Sequence, residues 1–208
     1  FRRKKDAEEL SCGFEDYQFM NKIILTLAAI ITMSFAACAQ NNKGEKNMQT
    51  ENKPLVVYFS ATGTTAKAAR MISDVTGGAL YEIVPQQAYT SEDLDWNNRQ
   101  SRSSVEMNNP QARPTLKDTK VDVAAYDVIF IGYPIWWDLA PRIINTFIES
   151  HDLQGKTLVP FATSGGSGIN NSVRELRKTY PTLKWEDGKL LNGANRNTVQ
   201  SWVSDVMK

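Results

Sequence analysis

The chain has 208 residues, 41% of them apolar and 23% charged, with a formal net charge of +1. That balance describes one soluble globular domain large enough to bury a core without disulfide or metal staples; it leaves no electrostatic footprint for nucleic acid. Cys12 and Cys38 both fall near the N-terminus and His151 is the single histidine, so a Cys₄ zinc site, Cys–His chemistry and histidine-rich metal centres are excluded from the remainder and no metal is expected.

Residues 1–19 form a charged lead that does not begin with methionine, and Met20 is expected to be the true start, with the lead an upstream translated extension. Lys22 then supplies a positive region, Ile23–Phe35 an apolar core, and Ala36-Ala37 small residues before Cys38. This is the three-part pattern of an export signal over residues 20–37, and its apolar run is shorter than the roughly 20 residues that span a bilayer. The end of the segment resembles a bacterial lipoprotein signal, although Phe35 stands where that motif usually has leucine. The resemblance implies lipidation at Cys38 and an exported protein anchored in a bacterial cell envelope, on the periplasmic side; a plain cleaved signal is the alternative. Residues 38–53 are polar and read as a flexible tether before a folded domain at 54–208.

Within that domain, Leu55–Ser60 is a nearly continuous apolar run, the mark of a strand covered on both faces. Thr65–Asp74 sets Ala66, Ala69 and Met71-Ile72 against Lys67 and Arg70, an amphipathic spacing that Gly77-Gly78 terminates. Ala79–Val84 is the next strand, ended by Pro85. Residues 86–120 are too long for an ordinary connector; they read as an ordered excursion with a short helix around Ser91–Asn97, placed to cover a site or meet a partner. The rhythm resumes with a strand at Tyr126–Gly132 and a helix at Ala140–Ser150 that carries Pro141 in its first turn. A strand at Thr157–Ala162, a charged helix at Asn170–Thr179, a short fifth strand at Leu183–Trp185 and a last helix at Asn195–Met207 complete the chain. Such alternation predicts an α/β fold with a doubly wound parallel sheet and helices on both faces.

Ligands of such sheets bind beyond the carboxyl ends of the strands, and three loops there are unusual. Ser60-Ala61-Thr62-Gly63-Thr64-Thr65 follows a buried strand and opens a helix, so backbone N–H groups and the helix dipole favour an anion, with four hydroxyls as further donors. This suits a terminal phosphate monoester held by neutral donors; the loop matches neither a Walker A nor a dinucleotide fingerprint. A capped turn with incidental hydroxyls is the plainer reading. The second loop, Tyr133-Pro134-Ile135-Trp136-Trp137, offers flat apolar walls for a planar ligand, unless a tryptophan merely caps the core. The third, Thr163-Ser164-Gly165-Gly166-Ser167-Gly168, lets main-chain groups approach a ligand closely; Ile169 rules out the nucleophile elbow that Ser167 would need.

The first loop fits the Ser/Thr-x-Thr-Gly-x-Thr pattern after the first strand of flavodoxins, and residues 54–208 resemble that family, specifically a bacterial subgroup with a long insert after the second strand. The resemblance implies a five-stranded sheet in the order 2-1-3-4-5 and FMN as cofactor: its phosphate in Ser60–Thr65, its ring against Tyr133–Trp137, its pyrimidine edge on Thr163, Ser164, Gly165, Gly166 and Gly168. FMN then carries the chemistry, with no catalytic side chain. Trp96 and Arg102, in the insert, either reach the cofactor or pin the excursion to its own domain. The implied activity is electron transfer, or flavin-dependent reduction of a quinone or other small acceptor, with donor and acceptor unspecified. A non-redox module for a phosphorylated planar metabolite is the rival.

Overall fold

Alternating apolar runs in the sequence become the strands of one parallel sheet in the computed structural model, which describes residues 53–208. The lead, the export signal, Cys38 and the tether up to residue 52 lie outside the described residues. The strands are β1 (Leu55–Tyr58), β2 (Ala79–Glu82), β3 (Val128–Pro134), β4 (Thr157–Thr163), β5 (Lys184–Trp185) and β6 (Lys189–Leu190). Their order is β2-β1-β3-β4-β5, as expected, with β6 also on β4. β5 pairs with Thr157 and Leu158, β6 with Phe161 and Ala162. The fifth position is therefore one strand in two pieces, interrupted at Glu186, Asp187 and Gly188; the sequence reading placed only the first piece.

The helices are α1 (Thr64–Thr76), α2 (Arg102–Asn108), α3 (Arg142–Glu149), α4 (Asn170–Thr179) and α5 (Arg196–Val206). Side chains of β1 alternate between two cores, as a strand's period of two requires. Val56 and Tyr58 join Phe130, Val159 and Phe161 beneath α1 and α5, against Ala69, Ile72, Val199 and Val203. Leu55, Val57 and Phe59 join Ile129 and Ile131 beneath α3 and α4, against Ile143, Phe147, Val173 and Leu176. Each such side chain, removed from water, contributes roughly 1.5–3 kcal/mol. Local chemistry ends the helices where expected: Gly77 stops α1 in the left-handed region (φ 64°), and Asn195 caps α5 by accepting the Thr198 N–H (3.0 Å).

The excursion departs from expectation in one respect. Ser91–Asn97 is not helical but a run of turns, because Asp and Asn side chains there capture backbone N–H groups that a helix needs. Asp93 and Thr90 bond each other's N–H (3.0 and 3.2 Å), Asp95 takes that of Asn97 (3.0 Å) and Asn98 that of Gln100 (2.9 Å). The helix forms later, at α2, capped by Ser101. The excursion is tied down at several points. Lys117 N–H reaches Val84 O (2.8 Å), Arg142 Nη2 donates to Met107 O (2.9 Å), and Arg113 grips Glu149 with two hydrogen bonds (2.7 and 2.8 Å).

Candidate functional site

The loops after β1, β3 and β4 open into one cleft of about 690 Å³ at the carboxyl end of the sheet. Ala61, Thr62 and Thr65 line it from the first loop, Pro134 to Trp137 from the second, and Ser164, Gly165, Gly166 and Ser167 from the third. The excursion adds Leu94, Trp96 and Ser103. Among the described residues, none that lines the cleft carries a charge.

The first loop turns through Gly63, whose left-handed backbone (φ 83°) leads into α1. Ser60 Oγ accepts the Ala66 N–H (3.2 Å) and Gly63 O the Lys67 N–H (3.2 Å). Among the described residues, no acceptor takes the N–H groups of residues 61–65, which leaves the positive end of the helix dipole open toward the cleft. Thr62 and Thr64 hold their hydroxyls 3.5 Å apart at the same place.

The second loop closes as a two-residue hairpin: Trp136 N–H bonds Leu139 O (3.0 Å) and Leu139 N–H bonds Trp136 O (2.9 Å). Trp137 (φ 47°) and Asp138 (φ 64°) both occupy the left-handed region, where such turns usually carry Asn-Gly. A tryptophan there is strained, and Trp137 is left 45% exposed at the cleft. Trp136 is half-buried and meets Phe59 and Tyr89 edge-on, with centroids 5.6 and 5.3 Å away.

The third loop is held from outside. Asn192, just beyond β6, accepts the Ser164 N–H (2.8 Å) and donates to Ser164 O (2.5 Å). Ser164 Oγ in turn accepts the Gly166 N–H (3.1 Å). A β-carbon at Gly165, Gly166 or Gly168 would meet no protein atom within 4 Å, so the protein's own packing does not demand glycine there and the main chain stands clear for a ligand.

Of the residues singled out in the sequence, ten from the three loops and Trp96 line the cleft. Ser60, Gly63, Thr64 and Gly168 shape the loops without lining it, and Thr163 is buried beneath Thr65. Tyr133 departs from expectation. It is fully buried, with its hydroxyl 3.0 Å from Ser172 Oγ, and burial pushes that hydroxyl well above the ordinary phenol range. Strand alternation turns Tyr133 into the core. Arg102 lies away from the cleft, paired with Glu106 (2.7 Å), donating to Gln87 O (2.8 Å) and stacked 3.9 Å above the Tyr89 ring. Of the two roles left open for it, pinning the excursion is the one its contacts serve. Tyr89, bonded to Glu106, carries the excursion into the aromatic cluster behind Trp136; burial first, and Glu106 second, raise its hydroxyl far above the usual value. Tyr89 and Asn192 escaped the sequence reading, since nothing in the turn-rich segments that carry them marks one residue over its neighbours. Among the described residues, no helix is long and apolar enough to cross a membrane and no acidic, histidine or cysteine cluster is arranged for a metal.

A doubly wound sheet whose ligand-facing loops gather at the reversal of strand order between β1 and β3 defines an α/β protein of the flavodoxin type. The flavodoxin family model matches residues 53–206, and the chain belongs to that family. It is similar to a flavoprotein from Bacteroides eggerthii, at 62% identity over 74% of this chain and 97% of that one, with a TM-score of 0.72. A flavoprotein from Bacteroides uniformis is 56% identical over 74% of this chain and 98% of its own, also with a TM-score of 0.72. The flavoprotein of Lactobacillus acidophilus, solved in complex with FMN, shares the fold at 21% identity and a TM-score of 0.56, over 76% and 99% of the two chains. No curated protein matches the chain.

Proposed function

We propose that this protein binds FMN in the cleft and acts as a redox protein, transferring electrons to a partner or reducing a quinone or another small acceptor. The observation that carries the reading is the meeting of an unclaimed N–H cradle, a tryptophan wall and an open glycine loop around one uncharged cleft. The residues present fit the group. Free N–H donors at a helix start suit a phosphate, flat apolar walls suit a tricyclic ring, and about 690 Å³ lies within the usual range of roughly 300–1,000 Å³ for ligand pockets. The FMN complex of the Lactobacillus relative supports the same identification.

In this reading the N–H groups of residues 61–65, with the Thr62 and Thr64 hydroxyls, hold the phosphate without a counter-cation. Trp136 and Trp137 exclude water from the ring and fix its plane. The main chain at Gly165 and Gly166, positioned by Asn192, meets the ring's polar edge. Once bound, FMN supplies reversible electron uptake that no side chain here provides. The test is a visible spectrum of the purified protein, with the ligand released by denaturation and identified. Flavin bands and released FMN are expected; a colourless protein that ignores added FMN overturns the reading.

The export pattern of residues 20–37 supports a further part of the proposal, that Cys38 is lipidated and tethers the domain at the periplasmic side of a cell envelope. Mass spectrometry of the mature N-terminal peptide tests it: a diacylglyceryl adduct on Cys38 is expected, and an unmodified or uncleaved terminus overturns it.

A further inference from the structure

We infer that a second cavity, between the excursion and helices α3 and α4, binds a small α-amino acid by its carboxylate on Arg142 and its ammonium on Glu175. The cavity measures about 260 Å³. It shares no lining residue with the cleft described above, so the inference stands apart from the proposed cofactor.

Arg142, at the start of α3, lines this cavity and is short of partners. Its Nη2 donates to Met107 O (2.9 Å), while its Nε is shut off from solvent with no acceptor among the described residues. Among the described residues no carboxylate pairs with it. Arg113 lines the cavity as well, but its charge is already met by Glu149 (2.7 Å). Burial first, and the Arg113 guanidinium second, pull the Arg142 guanidinium below its ordinary value. A partly desolvated guanidinium with an orphaned N–H is costly. A bound carboxylate would supply the charge-assisted partner that the protein withholds.

Glu175, on α4, lines the same cavity, yet among the described residues no ion pair joins it to Arg142. Its one ionic neighbour is the exposed Lys178, at 3.9 Å. Two opposite charges that border one space without meeting are complementary to a molecule carrying both. Asn145 adds to the cationic subsite. It is buried, lines the cavity, and donates through Nδ2 to the Tyr180 hydroxyl (3.0 Å). Its Oδ1, with no donor among the described residues, remains as a second acceptor for an ammonium.

Size and lining narrow the class further. Pro110, Leu139, Ala140 and Leu176 make the rest of the wall largely apolar, suited to an aliphatic side chain. The volume lies below the roughly 300–1,000 Å³ of pockets for drug-sized ligands, so the occupant is small. An inorganic dianion would meet Glu175 as a like charge, and an aliphatic acid or amine alone would leave one of the two protein charges unmatched. A short aliphatic amino acid satisfies both.

Isothermal titration of the purified protein with L-valine, isovalerate and isobutylamine tests the inference, because each fragment keeps one charge of the amino acid. Valine is expected to bind more tightly than either fragment by about tenfold or more. Glu175→Gln is expected to weaken valine about tenfold and leave isovalerate binding no weaker. Arg142→Gln, checked for folding by circular dichroism, is expected to weaken both. No binding of valine overturns the inference. A fragment that binds as tightly as valine overturns the assignment to a zwitterion. Valine affinity unchanged in Glu175→Gln, or in folded Arg142→Gln, places binding elsewhere and overturns the site; should Arg142→Gln fail to fold, Glu175→Gln alone decides.

Discussion

The hydroxyls of Thr65 and Thr163, 98 residues apart in the chain, meet at 2.8 Å in a buried hydrogen bond that joins the start of α1 to the end of β4. The loop offered to a phosphate and the loop offered to a ring edge are therefore locked to each other beneath the cleft, before any ligand arrives. Thr65→Val would leave the Thr163 hydroxyl buried without its partner, at a cost of about 1–3 kcal/mol. The double replacement of Thr65 and Thr163 by valine removes both polar groups and is expected to recover most of that loss. Chemical denaturation of the three variants checks this.

Gly132 packs against the Phe161 ring with no room for a side chain. A β-carbon there would lie 2.1–2.7 Å from three atoms of the Phe161 ring, and both residues sit in paired strands with little room to shift. Gly132→Ala is expected to destabilise the fold by about 1–3 kcal/mol or more through overpacking. Phe161→Leu introduced in the same chain should restore part of it, a rescue visible in the thermal midpoint.

Asp138 provides a second backbone test. At φ 64° a β-branched residue meets the full left-handed penalty, so Asp138→Val is expected to lose about 1–2 kcal/mol. Asp138→Gly should be as stable as the parent or slightly more so. Equal stability of all three proteins would contradict the strained turn.

Stability should fall at alkaline pH. Burial first, with the hydrogen bonds to Asp118 and Glu149 next, pushes the Tyr81 and Tyr180 hydroxyls up to about 12, and Tyr89 and Tyr133 lie higher still. Each keeps its proton in the folded state, whereas an unfolded tyrosine releases it near pH 10. The unfolded state then binds fewer protons, so stability declines as pH rises above about 10. Phenolate absorbance of Tyr89 and Tyr133 should appear only together with loss of the folded circular dichroism.

Acid acts through a different pair. Arg113, then the Tyr180 hydroxyl, hold the Glu149 carboxyl below its ordinary value of 4.5. The resulting stabilisation is present above that pH and lost as pH falls through the lowered value. Because the Glu149 side chain is 42% exposed, solvent screening limits the pair to less than about 1 kcal/mol. Glu149→Gln should therefore differ slightly from the parent at pH 7 and not at pH 2.

The order of most strands and helices was legible because it rests on apolar runs such as Leu55–Ser60, on amphipathic spacing such as Ala66, Ala69 and Met71-Ile72, and on breakers such as Gly77-Gly78. The three ligand-facing loops were legible because their composition is odd for their place. Three features were not. Tyr133 stands one residue before the end of β3 and its direction follows from strand register, which loop composition does not encode. The helix expected at Ser91–Asn97 gave way to side chain–backbone bonds from Thr90, Asp93, Asp95 and Asn98, a competition that weak helical spacing does not reveal. Asn192 acts on Ser164 across 28 residues of chain, a pairing that only the folded topology creates.

The broken fifth strand bears on how the molecule behaves at high concentration. An outer strand presents unpaired N–H and C=O groups on which another molecule can extend the sheet, and short or covered outer strands suppress that route to aggregation. Here β5 and β6 are two residues each. At the opposite margin β2 has four, and the chain beyond it is covered where Pro85 bridges Leu116. Neither margin offers a template long enough for a neighbouring copy to zip onto, so a domain crowded beside its own kind would stay colloidally independent.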